Sequence, residues 1–123
     1  MHELLALQRA LHIAKFGASS FGAELIASPF VGSLYSRVLE ELERKFEASG
    51  NAYKAKSFRA WRELDGHVDV IDTIEAYIIA MKDDVLAMSS VDKAELLEAI
   101  VSPFVPTESL RVRLEAQLGS KRE

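Results

Sequence analysis

Apolar residues recur at helical spacing along most of the chain. Between Pro29 and Ser49, the side chains of Val31, Leu34, Tyr35, Val38, Leu39, Leu42 and Phe46 fall in one arc when stepped at about 100° per residue. Glu40, Glu43, Arg44 and Glu47 fall opposite. Ser28 is placed to cap this helix, Pro29 suits its first turn, and Gly50 supplies a left-handed stop. A helix over 3–16 turns Leu4, Leu7, Leu11 and Ala14 to one side and ends at Gly17. Asn51 caps another through Leu64, with Tyr53, Phe58, Trp61 and Leu64 on a shared face and Gly66 closing it. Ser90 is the expected cap of a helix from Val91 to Val101, and a final helix runs from about Pro106 to Leu118, before Gly119. Residues 20–27 read as one or two further helical turns.

The stretch from His67 to about Met88 has a different pattern. Val70, Ile71, Ile74, Tyr77, Ile78, Met81 and Val85 make one broad apolar face, while Val68, Ile79 and Leu86 make a second stripe. A helix that is apolar on two sides needs cover on both. In a chain this short, the pattern places it with helix 29–49 at the centre of a bundle, or where two subunits meet.

Residues 24–41 and 98–115 echo one another at an offset of 74, with Ser28-Pro29-Phe30-Val31 repeated as Ser102-Pro103-Phe104-Val105. Proline disfavours helical geometry in the residue before it, so both copies predict a helix end, a corner and a second helix. A duplicated hairpin and a corner formed twice independently both account for the match.

Composition narrows the class. The 123 residues are 49% hydrophobic, enough for one core and too few for two. Only 6 Gly and 3 Pro are present, which argues against the many turns of an all-β domain. Cysteine is absent, which excludes disulfides, thiolate metal sites and cysteine nucleophiles and fits a reducing cytoplasm. The longest unbroken apolar run is Ala76–Met81, far short of the ~20 residues that span a bilayer. Glu3 and Arg9 break up the basic-then-apolar layout of a secretory signal. The expected organisation is a single helical domain over 1–118 with a short flexible tail, 119–123.

Charge changes the picture less. The 15 Lys+Arg and 19 Asp+Glu give a net charge of −4, which opposes nucleic-acid binding by the chain as a whole. Lys56, Arg59 and Arg62 share a face turned away from the aromatic side of their helix, as on a solvated surface. Arg111, Arg113, Lys121 and Arg122 cluster near the C-terminus, and a helix–corner–helix precedes them. That would suit a small DNA-binding regulator using its last helix, although the Ser102–Pro106 connection is longer than a helix-turn-helix turn.

The enzymatic alternative rests on Glu40, Glu43, Asp69 and Asp72. Carboxylates three apart on facing helices can hold Mg²⁺. Their spacing resembles the E-x-x-E and E-x-x-D helices of the all-α nucleotide pyrophosphohydrolases. This chain departs from that pattern because all four project opposite the main apolar faces, so membership does not follow. No two of His2, His12 and His67 have metal-ligand spacing; His67 lies in the apolar arc as a core or helix-start residue, and His2 and His12 lie on a mixed face. No phosphate-binding glycine loop or nucleophile-elbow motif occurs.

The sequence therefore predicts an all-α, up-and-down bundle of five or six helices, acting by binding rather than by catalysis and needing no cofactor. Its first expected partner is a second copy of itself, with Val68, Ile79 and Leu86 at the contact and another protein as a further partner. A bundle opening a pocket for an apolar small molecule is a third reading.

Overall fold

The computed structural model describes residues 2–17 and 25–119. Among them are α1 (His2–Phe16), α2 (Pro29–Ala48), α3 (Ala52–Trp61), a 3-10 turn (Leu64–Gly66), α4 (Val68–Ala80), α5 (Lys82–Leu86), α6 (Ser90–Val101) and α7 (Glu108–Gln117). The fold is an all-α helical bundle. Among the described residues the helices number seven rather than six, because the predicted 67–88 helix is interrupted at Met81. The predicted turns at 20–27 lie mostly outside the described residues, of which Leu25 and Ile26 are helical.

The longest helix, α2, organises the packing: α1, α3 and α6 all lie against it. Its arc is buried at Tyr35, Val38, Leu39, Leu42 and Phe46, whereas Leu34 at the edge stays 43% exposed. Ser28 Oγ accepts from Val31 N, and Gly50 has φ +80 with open space around its Cα, so both predicted helix ends hold. Gly32 of α2 lies close against the end of α6: a Cβ there would lie 3.0 Å from Cβ of Ser102, the residue that follows α6. The second long apolar helix is not at the centre. α4 packs chiefly against α7 and the 3-10 turn, with α1 beside it.

Several helix ends shift from the predicted positions. α3 stops at Trp61, and Leu64 enters the 3-10 turn instead, fully buried. Ser89, not Ser90, caps α6 by accepting from Asp92 N. Thr107 caps α7 by accepting from Leu110 N, and Gly119 follows with φ +75. Thr107 also donates from its N–H and hydroxyl to the Asp65 carboxylate, at 2.9 and 2.7 Å. Together with the Leu64 N–H to Val105 carbonyl bond and the Val105 N–H to Arg62 carbonyl bond, this ties the 62–67 and 102–107 segments together.

The two Ser-Pro corners fold differently. Pro29 is the first residue of α2 and leaves Phe30 83% exposed. Pro103 follows a cis peptide bond, and Phe104 turns inward to 3% exposure. The sequence echo is not a structural repeat at its most similar point.

Candidate functional site

α1 carries the largest departure from the predicted pattern. Its buried residues are Leu11, Lys15 and Phe16, while Leu7 is 41% and Ile13 65% exposed. The inward face is turned toward Gln8, His12 and Lys15, so three polar side chains line a seam against the core. Each has a partner.

Tyr35, on α2 and fully buried, receives a hydrogen bond from Gln8 Nε2 at 3.2 Å and lies 2.8 Å from His12 Nδ1. Since Tyr35 Oη already accepts from Gln8, its own proton is free to donate to a neutral His12. Burial, and then the charge of His67, hold the His12 pKa below its ordinary value, which favours that neutral form. Burial pushes the Tyr35 hydroxyl up to about 12. The His12 ring sits among Phe16, Tyr35, Trp61 and Phe104, with centroids 5.6 to 6.0 Å away. His67 starts α4 and donates from Nε2 to the Trp61 carbonyl at 2.5 Å, its ring 4.5 Å from Phe104. It is a helix-start residue, as expected. His12 is not the uninformative residue its mixed face suggested.

Lys15 completes the seam. A helix leaves its last four carbonyls without intrahelical donors. At the end of α6, Glu98 O accepts from Ser102 N and Val101 O accepts from Phe104 N. The natural i+4 donor for Ala99 would be residue 103, a proline with no N–H. Lys15 Nζ takes that place, donating to Ala99 O at 2.8 Å, Ile100 O at 3.0 Å and Ser102 O at 2.5 Å. It has no exposed surface, and burial lowers its pKa to about 7. An ammonium at a helix C-terminus is also favoured by the helix dipole. These features describe a structural cap.

The predicted contact stripe is open. Val68 is 65%, Ile79 74% and Leu86 58% exposed, with exposed Ala76 and Ala80 on the same helix. The opposite face of α4 is buried through Val70, Ile71, Ile74 and Ile78. α7 closes one flank, where Arg113 and Gln117 both donate to the Glu75 carboxylate.

The four carboxylates of the enzymatic alternative are not brought together. Glu40, Asp69 and Asp72 are exposed, on helices that do not pack as neighbours. Glu43 is partly buried against α3, with Oε2 3.8 Å from Arg59 and Oε1 lacking a hydrogen-bond partner. Among the described residues no group of three or more His, Cys, Asp or Glu is placed to hold a metal ion. The basic clusters are dispersed as well. Arg59 pairs with Glu47 at 2.7 Å, Arg62 donates to the Pro103 carbonyl, Arg111 pairs with Glu98 at 2.8 Å, and Arg113 with Glu75. Lys121 and Arg122 lie outside the described residues. Among the described residues no helix is long and apolar enough to cross a membrane. No protein-family model, curated protein or solved structure matches the chain.

Proposed function

We propose that this protein is a non-enzymatic helical binding module whose first partner is a second copy of itself, joined through the outer face of α4 and α5. The observation that carries this reading is the open stripe of Val68 and Ile79 on α4 and Leu86 on α5, at 65%, 74% and 58% exposure, where the other face of α4 is already committed to the core. Stacking large apolar side chains against like ones removes that surface from water, at about 25 cal/mol per Å². Ala76 and Ala80 between them let another helix come close.

A second copy suits the stripe because a two-fold contact covers both copies' apolar residues with one patch. Asp69 and Asp72 lie toward one end of the face and Lys82, Asp83 and Asp84 toward the other, so a pair formed here keeps these charges at its wet rim. Another protein carrying an apolar helix face would use the same surface. A cytoplasmic location suits a cysteine-free chain of this kind.

Sedimentation equilibrium at micromolar concentration tests the reading. The expected mass is twice the 13.7 kDa of one chain. An Ile79→Asp, Leu86→Asp variant, changed only at exposed positions, should sediment as one chain with an unaltered helical spectrum. A single-chain mass for the unmodified protein across the range would overturn the proposal.

A further inference from the structure

A second surface, sharing no residue with the α4–α5 face, has the character of a ligand site. We infer that the groove between α1 and α3 binds a small planar aromatic carboxylate. The groove encloses about 410 Å³, within the range of about 300–1,000 Å³ typical of small-molecule sites. Tyr53, Phe58 and Trp61 line it from α3 and Leu5 from α1, so its walls are mainly apolar, with Gln8 and Ser57 as neutral polar residues among them. Two of those rings are held in place from behind. Phe58 stacks on Phe46 at 5.4 Å, and Trp61 packs against His67 at 4.9 Å and Phe104 at 5.1 Å. Tyr53 stands 81% exposed at the rim. Phe58 and Trp61 also meet edge to face at 6.3 Å, so a flat ring laid against this fixed cluster gains aromatic contact at little ordering cost.

The charged residues of the groove select the sign. Arg9 and Lys54, one on each helix, are its only charged lining residues, in a chain whose net charge is −4. Neither is among the described ion pairs; Lys54 Nζ lies 5.3 Å over the Phe46 ring instead. The guanidinium from α1 and the ammonium from α3 are the charged donors this groove offers to one carboxylate. A polyphosphate would need further donors, and Asn51 already occupies the Lys54 N–H at the start of α3.

The chain has a single tryptophan, so the indole N–H of Trp61 gives one assignable NMR signal from a residue that lines the groove. Titration with 2-naphthoate should shift that signal saturably, with Kd below about 1 mM. Neutral 2-naphthamide, which lacks the charge, and cyclohexanecarboxylate, which lacks the ring, should each bind at least about tenfold more weakly. An Arg9→Gln, Lys54→Gln variant, changed at two exposed positions, should keep its helical spectrum and lose naphthoate affinity by a similar factor. No saturable shift would overturn the inference. So would equal binding of the amide or the saturated acid, or unchanged affinity in the variant.

Discussion

Replacing Lys15 by methionine separates the two energies that meet at the end of α6. Methionine fills nearly the same space but leaves the carbonyls of Ala99, Ile100 and Ser102 without the donor that reaches all three. A hydrogen bond from a charged donor contributes about 1.5–3 kcal/mol, so the gross loss is on the order of 5–9 kcal/mol. Against it stands the relief of burying an ammonium. A pKa held at about 7 instead of 10.5 corresponds to about 5 kcal/mol of desolvation. The net expectation for Lys15→Met at pH 7 is destabilisation of about 2 kcal/mol, read from urea unfolding followed by far-ultraviolet circular dichroism. The pH dependence supplies an internal check. Because the folded pKa lies below the unfolded one, the unfolded chain holds the extra proton between about pH 7 and 10.5. Stability of the unmodified protein therefore rises with pH through that window, by up to about 3 kcal/mol by pH 9.5, and Lys15→Met should flatten the rise. Buried charges can often be replaced by apolar groups without loss. If Lys15→Met equals or exceeds the parent in stability at pH 7, water caps α6 adequately and the reasoning fails.

Two further substitutions test the frame. Gly50→Ala meets no neighbour, so its whole cost is the left-handed backbone at φ +80, about 1 kcal/mol in thermal or urea unfolding; a neutral result would mean the helix end relaxes. Phe104→Ala should cost about 3–5 kcal/mol, because this 3%-exposed ring contacts Phe16, Tyr35 and Trp61 as well as His12 and His67. A loss under about 1 kcal/mol would show that the cluster collapses around the gap.

What was legible in the sequence follows the physics of each segment. α2 obeys a simple amphipathic rule, and its arc, its Ser28 cap and its Gly50 stop all appear where periodicity puts them. The open stripe on α4 and α5 was legible for the same reason: too many apolar positions for one buried face. α1 was misread because its core face is polar. Periodicity follows Leu7 outward and passes over Gln8, His12 and Lys15, whose burial depends on partners at 27, 23 and 84 to 87 residues' separation. The one local signal was Lys15 itself, four residues after Leu11 and next to Phe16. The groove leaves no such mark: a shared face of Tyr53, Phe58 and Trp61 reads as core, whereas Trp61 is only partly buried and Tyr53 is at a rim. No proline or glycine marks the interruption at Met81, so it left no trace in the sequence. The two Ser-Pro corners look alike in sequence and diverge because Phe104, unlike Phe30, meets the α1 aromatic and imidazole rings.

Self-association through α4 and α5 is open to a direct measurement, which the absence of native cysteine makes clean. A single nitroxide attached at Asp83→Cys, on α5 at the exposed edge of the stripe, places each label about 10 Å from Ala76, across the interruption at Met81. In a two-fold antiparallel pair, double electron–electron resonance should then report one label–label distance of about 20–35 Å. Mixing in unlabelled chain should reduce its modulation. A decay with no defined distance, at a concentration where sedimentation gives the single-chain mass, would contradict the account.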